Sequence, residues 1–235
     1  MSQRRIVVVT GSAGGIGCAL VDRFRTAGDT VIGLDLVDGF DITNPSAVQR
    51  AADSILDEHG RIDLLCNNAG VGAVGDVVEA TPEDWTQVFS VNVFGLANMS
   101  RAMLPAMRDA GQGAIVNICS VAALVGLVDR AVYSASKGAV LALTRAMAAD
   151  EVAYGITVNC VCPGTVDGPW VQRLVAAESD PEEAYEALRR RQPLGRLVTA
   201  DEVAATVDFL AAASTFTTGE AIALDGGIAA LRIVN

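Results

Sequence analysis

The sequence predicts an α/β fold: a doubly wound parallel sheet with helices on both faces. Short runs rich in Val, Ile and Leu alternate with segments of helical periodicity along nearly all of the 235 residues. Strands of a parallel sheet are buried on both faces and therefore read as continuous apolar runs. Because no repeat or Pro/Gly-rich linker divides the chain, we expect one domain over residues 1–235.

The predicted elements alternate strand and helix. The strands are short apolar runs: Arg5–Val9, Thr30–Leu34, Ile62–Cys66, Ala114–Cys119, Ile156–Val161 and Ala221–Leu224. The helices have apolar residues three and four apart: Gly17–Ala27, Pro45–His59, Pro82–Asp109, Ala131–Val152 and Ala200–Ala213. Segment 169–191 is charged with helical propensity, and we expect a small helical substrate lid over about residues 165–198.

The connection Asp35–Asn44 is short for this fold. A right-handed crossover between parallel strands needs a dozen or more residues. We expect a turn with one or two residues of strand around Phe40–Ile42 and no helix, so this corner of the sheet is trimmed or irregular.

The composition disfavours several classes of protein. A formal charge of −11 argues against a nucleic-acid partner, whose phosphates need a basic face. The longest uncharged stretch, 110–128, holds too many Gly and polar residues for a membrane span. The four-residue apolar run near the start is too short for a signal peptide. We expect a cytoplasmic protein that does not contact a membrane.

The five cysteines are scattered through apolar runs, without a CxxC pair, at Cys18, Cys66, Cys119, Cys160 and Cys162. His59 is the only histidine. We therefore expect reduced, buried thiols and no metal site.

A glycine-rich string, residues 9–17, lies between the first strand and the first helix. Its glycines permit a tight turn, close approach of a pyrophosphate and close packing of the helix, whose N-terminus attracts phosphate. The alternative is a glycine-rich turn without a ligand. From its position we predict a Rossmann-type dinucleotide site that includes Gly11, Ser12, Gly15, Ile16 and Gly17.

Asp35, at the end of the second strand, discriminates between coenzymes. A carboxylate there accepts hydrogen bonds from the adenosine ribose hydroxyls and repels a 2′-phosphate. Ser12, Ala13 and Leu36 offer no cation for such a phosphate, so NAD is the predicted cofactor. Asp41 is placed either to bond the adenine amino group or to solvate its loop.

The candidate catalytic residues surround the only lysine of the chain. Tyr133 and Lys137 are four residues apart on one helical face. An ammonium beside a phenol favours the phenolate, which makes Tyr133 a candidate acid/base. Ser120, at a strand end, is placed to hold the substrate oxygen. Asn92 either relays protons through water or bends its helix by bonding to backbone.

Taken together, the chain resembles the NAD-dependent, single-domain short-chain dehydrogenase/reductase family. The motifs that carry the resemblance are TGSAGGIG at 10–17, Asp35, Asn67–Gly70, Asn92, Ser120, Tyr133, Lys137, Pro163-Gly164 and Gly219 with Asp225–Gly227. The resemblance implies a seven-stranded sheet and hydride transfer between a secondary alcohol and a ketone. Tyr133 would be the acid/base, and Lys137 would also hold the nicotinamide ribose.

The resemblance implies further cofactor contacts and an assembly. It assigns two segments to the cofactor site: Asn68, Ala69 and Gly70, and Pro163, Gly164, Thr165 and Val166. Where the family usually has a Thr this chain has Gly168, so that hydroxyl contact is absent or supplied by Thr165. A homotetramer is implied, and helices with apolar residues on more than one face, Val88–Met107 and Ala139–Val152, agree with it.

Three arginines are candidate substrate contacts. Arg130 precedes Tyr133 by three residues, and Arg173 and Arg191 flank the lid segment. A guanidinium fork suits a carboxylate. The alternative for Arg130 is pairing with Asp129 or with a neighbouring subunit. The alternative for the other two is a solvated, charged lid face on which they pair with acidic residues: Glu178, Glu182, Glu183 and Glu186.

The expected substrate is a small polar hydroxyl compound. The chain is similar to the cytosolic 3-hydroxybutyrate dehydrogenase branch of the family, which favours a 3-hydroxy acid, and it shares features with L-fucose-type dehydrogenases. A sugar or cyclic alcohol is the alternative. A non-catalytic NAD-binding sensor is a third reading, disfavoured by the joint presence of Ser120, Tyr133 and Lys137.

Overall fold

A computed structural model describes residues 4–212 and 216–232. Its strands, in chain order, are β1 (Ile6–Thr10), β2 (Thr30–Leu34), β3 (Leu64–Asn67), β4 (Gly113–Ile118), β5 (Ile156–Pro163), β6 (Val166–Asp167), β7 (Val198–Thr199) and β8 (Ala221–Leu224). Within the described residues, six of them form a parallel sheet in the order β2-β1-β3-β4-β5-β8. The strands β6 and β7 form a separate parallel pair.

Helices cover both faces of the sheet, which confirms the doubly wound fold. They are α1 (Gly15–Thr26), α2 (Pro45–His59), α3 (Pro82–Phe89), α4 (Leu96–Ala110), α5 (Ala131–Glu151), α6 (Pro169–Ala176), α7 (Pro181–Arg190) and α8 (Ala200–Leu210). Helices α1 and α8 bury Phe24 and Leu210 on one face. Helices α2, α4 and α5 bury Ile55, Met103 and Met147 on the other. Among the described residues, no helix is both long and apolar enough to cross a bilayer.

Strand β1 shows why apolar runs predicted this sheet. All five of its residues are buried. Val7 and Val9 point into the core under α1 and α8, whereas Val8 points into the opposite core. A strand with helices on both sides needs apolar side chains at every position.

Local signals fix the ends of several helices. The side chain of Asn44 accepts hydrogen bonds from the backbone N–H groups of Ser46 and Ala47 and so caps α2. Gly60 ends α2 in the left-handed conformation, at φ +72°. The side chains of Thr81 and Thr199 begin α3 and α8 in the same reciprocal arrangement with an acidic residue three positions on.

The prediction of a seventh strand, with one or two residues around Phe40–Ile42, is wrong. Residues Leu36–Asp38 form a short 3₁₀ helix, and no strand includes Phe40–Ile42 in the described chain. The side chain of Ile42 instead packs in the core beside Gly95, where a Cβ would lie 2.5 Å from it. The segment is too short to cross the sheet, so β2 is the edge strand.

Two predicted elements differ in detail. The predicted helix Pro82–Asp109 is divided into α3 and α4 by a π-helical turn, Ser90–Gly95. The predicted lid segment, 165–198, contains α6 and α7, and the pairing of Val166 with Val198 closes its base. That this segment moves over a substrate remains a prediction. Ala213, the predicted end of the last helix, lies outside the described residues.

Candidate active site

A cavity of about 700 Å³ opens at the carboxyl ends of the sheet strands. It lies where the chain order reverses, between β1 and β3, which is the usual ligand crevice of a doubly wound sheet. Its walls bring together most of the predicted site residues: Gly11, Gly15, Ile16, Asp35, Asp41, Asn68, Ala69, Gly70, Ser120, Tyr133, Lys137, Pro163, Gly164, Thr165 and Val166. Ser12, Gly17 and Asn92 lie behind the walls.

The glycine-rich loop forms the floor of one end of the cavity. Gly11 has φ +64°, and a Cβ there would lie 2.9 Å from the Cα of Ala69. A Cβ on Gly17 would lie 2.0 Å from the carbonyl oxygen of Gly11, so this glycine lets α1 pack against the loop. In the described chain no side chain caps the start of α1, so its first N–H groups face the cavity end and suit a phosphate.

Two carboxylates stand at the same end. Asp35 accepts hydrogen bonds from the N–H groups of Ala13 (2.8 Å) and Val37 (3.1 Å), which holds it at the loop. Asp41 accepts from the N–H and hydroxyl of Thr43, both at 2.8 Å. The described residues that line this end include no Lys or Arg.

Thr10 is a positioning residue that the sequence analysis missed. Its hydroxyl accepts hydrogen bonds from the N–H groups of Asn68 (3.0 Å) and Ala69 (3.1 Å). The Asn68 amide in turn donates to the carbonyl oxygens of Thr10 and Gly11, both at 3.0 Å. These bonds tie the end of β3 to the glycine loop. The only local signal was a threonine directly before the first glycine.

The four candidate catalytic residues meet at the other end. Lys137 is 5% exposed, and its Nζ donates to the carbonyl oxygen of Ile118 at 2.9 Å. The same ammonium lies 5.7 Å from the ring centre of Tyr133. The Ser120 hydroxyl, at the end of β4, accepts from the N–H of Ala122 at 3.1 Å. The ammonium, the phenol ring and the hydroxyl therefore share one wall of the cavity.

Asn92 lies in the π-helical turn and is almost fully buried. Its Oδ1 accepts from the N–H of Val71 at 2.8 Å, and its Nδ2 donates to the carbonyl oxygen of Val71 at 2.9 Å and to the hydroxyl of Ser136 at 3.0 Å. These bonds favour the second of the two interpretations, an amide bonded to backbone where the helix is distorted. A Cβ on Gly70 would lie 3.2 Å from Asn92 Oδ1 and 3.5 Å from Lys137 Nζ.

The three predicted substrate arginines all line the cavity. Arg130 Nη1 donates to the carbonyl oxygen of Asp129 at 2.8 Å, so it contacts the backbone of Asp129 rather than its carboxylate. Asp129 itself has the left-handed φ of +55°. This neighbouring turn fixes the backbone of Arg130 before α5 begins.

The acidic residues of the lid pair with other arginines. Glu183 pairs with Arg190 at 2.5 Å and Glu186 pairs with Arg189 at 2.6 Å. Within the described chain, Arg173 and Arg191 make no ion pair with any acidic residue. Neither arginine pairs with a lid glutamate in this structure, and both are exposed, so the alternative of a solvated lid face remains open.

Two side-chain hydrogen bonds join the two ends of the lid segment to each other. Gln192 is almost fully buried, and its Nε2 donates to the carbonyl oxygen of Thr165 at 3.3 Å. The hydroxyl of Tyr185 donates to Asp167 at 3.2 Å, and burial together with this bond raises the pKa of Tyr185. Asp167 also lines the cavity, as does Gly168, which caps the start of α6 in an extended conformation.

Four of the five cysteines are buried as expected, whereas Cys18 is exposed, so the prediction of a buried thiol is wrong for Cys18. Cys119, Cys160 and Cys162 are buried, and their sulfur atoms all lie within 4.8 Å of one another. Adjacent parallel strands β4 and β5 bring them together behind the wall that carries Ser120.

Comparison with protein families and relatives finds matches over nearly the whole chain. Residues 11–229 match the family model described as enoyl-(acyl carrier protein) reductase. A Danio rerio protein named dehydrogenase/reductase SDR family member 6 is 37% identical over 95% of this chain and 96% of its own length. The 2-(S)-hydroxypropyl-CoM dehydrogenase 3 of Xanthobacter autotrophicus is 35% identical over 97% of this chain and 98% of its own.

Solved structures show the same fold. Aldohexose dehydrogenase of Thermoplasma acidophilum, ligand-free, superimposes with a TM-score of 0.93 at 33% identity, covering 99% of this chain and 97% of that one. NAD⁺-bound xylitol dehydrogenase gives 0.87 at 30% identity, with 95% and 98% covered. ElxO with NADP bound gives 0.89 at 27%, with 96% and 99% covered. These neighbours therefore include chains bound to either coenzyme.

Proposed function

The chain belongs to the short-chain dehydrogenase/reductase family, oxidoreductases that act on CH–OH donors, and we propose that this member interconverts a small anionic hydroxy acid and its ketone with NAD. The observation that carries the substrate class is the pair of lid arginines, Arg173 and Arg191, on the cavity wall. Neither makes an ion pair within the described residues.

The adenosine end of the cavity fits NAD. Gly11 and Gly17 let the loop pack closely against the end of β3 and the start of α1, and the start of α1 suits the pyrophosphate of a dinucleotide. Asp35 is held at this end by two backbone N–H groups, where it accepts from ribose hydroxyls and repels a 2′-phosphate. Asp41 adds a second negative charge.

The catalytic residues lie at the opposite end of the cavity. Bound NAD supplies the hydride acceptor. Tyr133 acts as the phenolate, which the buried ammonium of Lys137 stabilises; it takes the hydroxyl proton of the substrate and becomes the phenol. Ser120 donates a hydrogen bond to the substrate oxygen. Asn92 acts through Val71 and Ser136 as a positioning residue, because its amide is bonded to these groups.

The substrate carboxylate lies near the lid. A guanidinium binds a carboxylate through charge-assisted hydrogen bonds worth about 1.5–3 kcal/mol. Arg191 follows α7 and Arg173 lies in the last turn of α6, so closure of segment 165–198 brings both towards the mouth of the cavity. Arg130, pinned at the start of α5, contacts the same anion from the side that bears Tyr133.

A neutral polyol is the second candidate substrate. It is favoured by the similarity to structures named as aldohexose and xylitol dehydrogenases. Asp167, which lines the cavity beside Tyr185, would accept hydrogen bonds from sugar hydroxyls and would repel a carboxylate. The two candidates therefore differ in which lid residues contact the substrate.

A substrate panel with NAD separates them. We expect kcat/KM to be highest for small hydroxy acids, and Arg173→Leu and Arg191→Leu each to lower it by about one to two decades, with neutral alcohols unaffected. Arg190→Leu is the matched control. Arg190 is next to Arg191 in the sequence, but it pairs with Glu183 and does not line the cavity. A neutral sugar as the best substrate, with both arginine variants unchanged, contradicts the proposal.

We also propose that the protein is a homotetramer. Phe94 and Phe209 are 59% and 63% exposed on the helical surface, which is the kind of apolar surface that subunit contacts cover. Light scattering is expected to give four times the chain mass of 24.3 kDa. A mass equal to that of one chain contradicts this assembly.

A further inference from the structure

Three thiols form a cluster in the core beneath α5. We call Cys119, Cys160 and Cys162 the thiol triad. In the β4–β5 register Ile118 lies opposite Val161, so Cys119, the next residue, comes level with Cys162. Cys160 lies two residues before Cys162 and therefore points to the same face of the sheet. The sulfur atoms all lie within 4.8 Å of one another.

The triad is surrounded by apolar side chains. Leu96 and Val140 complete its buried cluster, and Cys160 and Cys162 have no exposed surface. Hydrogen bonding to Cys119 raises the pKa of Cys160 to about 12 and, with burial, raises the pKa of Cys162 as well. The sulfur of Cys119 donates to the carbonyl oxygen of Lys137 at 3.2 Å. Hydrogen bonds from Cys160 and Cys162 lower the pKa of Cys119, so at most one of the three sulfurs carries a charge.

We propose that the thiol triad binds one trivalent arsenic atom, taken up as arsenite. Arsenous acid, As(OH)₃, reacts with three thiols to give As(SR)₃ and three molecules of water. Three As–O and three S–H bonds break, three As–S bonds form, and each hydroxyl leaves with one thiol proton. The oxidation state of arsenic does not change, so neither an oxidant nor a reductant takes part.

Charge favours arsenic over a divalent metal ion. The product As(SR)₃ is neutral whether Cys119 starts as a thiol or as a thiolate, so the apolar pocket gains no charge. Three thiolates around a divalent cation would instead leave a net negative charge, which is costly to bury. Structural zinc almost always takes four ligands. The cluster of candidate ligands in the described residues holds three.

Distance is compatible with a three-coordinate centre. Three sulfurs bonded at roughly the 2.3 Å of a zinc–thiolate bond lie at most about 4 Å apart. The distances between the three sulfur atoms, which are at most 4.8 Å in the structure, therefore have to shorten only slightly. Side-chain rotation at the open end of two adjacent strands supplies such a movement.

Arsenite reaches the triad through the active-site cavity. Cys119 lines the cavity wall, directly before Ser120, whereas the other two thiols lie behind it. Occupation removes the Cys119 hydrogen bond to Lys137 and pulls on the strand end that carries Ser120. We therefore expect binding to inhibit the enzyme, and a molecule that fills the cavity to slow arsenite entry.

Native mass spectrometry of the full-length protein tests the proposal directly. The protein is reduced with a phosphine, because dithiol reductants compete for arsenic, and is then incubated with arsenite. We expect one adduct per chain, with a mass gain of one arsenic less three hydrogens. Cys160→Ala and Cys162→Ala each remove one of the three As–S bonds. We expect these variants to bind arsenite at least about tenfold more weakly, because in the wild type the third thiol reacts at high effective concentration once two bonds have formed.

The chain offers a matched control for these variants. Cys66 is also fully buried in the sheet, and burial raises its pKa, but it belongs to the opposite core. Cys66→Ala is expected to retain the adduct. Absence of an adduct on the wild type, or its loss in Cys66→Ala as much as in the triad variants, overturns the proposal.

A measurement on the wild type covers the case in which a triad variant does not fold. X-ray absorption at the arsenic edge counts the atoms bonded to arsenic, and three sulfurs with no oxygen are expected. Two sulfurs and an oxygen overturn the three-thiol site. Stoichiometric zinc on the same sulfurs, in a protein that takes up no arsenite, overturns it in favour of a metal ion. None of these readouts depends on dehydrogenase activity.

Discussion

Replacing Asp35 by Ala should shift the coenzyme preference from NAD towards NADP. Asp35 accepts hydrogen bonds from the N–H groups of Ala13 and Val37, which hold its carboxylate beside the glycine loop. The described residues around it contribute a second carboxylate, Asp41, and no cation. A 2′-phosphate placed here would meet negative charge without compensation.

The magnitude follows from the position of the carboxylate. Two unit charges 4 Å apart interact by about 4 kcal/mol at an effective dielectric constant of 20 and by about 1 kcal/mol in water. Asp35 is half-buried at the cavity rim, so we expect about 1.5–3 kcal/mol, or roughly tenfold to a hundredfold in kcat/KM for NADP. The same change should lower kcat/KM for NAD by about tenfold, because the ribose hydroxyls lose a charged acceptor.

Steady-state kinetics with both coenzymes at fixed substrate measure this shift. Asp38→Ala is the matched control, because Asp38 is an exposed acid three residues away that does not line the cavity. It should leave the NAD to NADP ratio unchanged. A wild-type enzyme that uses NADP as well as NAD, or an Asp35→Ala variant with an unaltered ratio, refutes the reasoning.

Three further substitutions test residues that hold the catalytic groups and the glycine loop in place. Lys137→Arg should lower kcat by about a hundredfold or more without unfolding the protein, because a planar fork replaces the buried point charge beside the phenol; near-wild-type rates would contradict this role. Asn92→Ala should lower the free energy of unfolding in urea by about 2–4 kcal/mol, because both backbone groups of Val71 lose their partner; a loss below about 0.5 kcal/mol would contradict it. Gly17→Ala should abolish dinucleotide binding in calorimetry, because its Cβ would lie 2.0 Å from the Gly11 oxygen; unchanged affinity would contradict the close packing.

Much of the fold could be predicted because its signals are local. Apolar runs such as Ile6–Thr10 locate the buried strands, since a strand covered on both faces tolerates little else. The glycine string and the spacing of Tyr133 and Lys137 locate the two ends of the cavity. Both patterns depend on backbone geometry that a few neighbouring residues determine.

The features that were missed depend on contacts distant in sequence. The π-helical turn at Asn92 is held by Val71, 21 residues earlier, and no local pattern indicates it. The missing seventh strand follows from Ile42 entering the core beside Gly95. The thiol triad exists only because β4 and β5 are adjacent, whereas in the sequence Cys119 and Cys160 are 41 positions apart.

We propose that Tyr133 performs the acid/base chemistry of an NAD-dependent dehydrogenation. The most direct measurement is NAD reduction by Tyr133→Phe with the best hydroxy-acid substrate, alongside calorimetric titration of the same variant with NAD. The phenylalanine keeps the ring that lies 5.7 Å from the Lys137 ammonium and removes only the ionisable oxygen. We predict that kcat falls by about 10²–10⁴-fold while NAD affinity is unchanged. A variant that still reduces NAD at the wild-type rate contradicts the account.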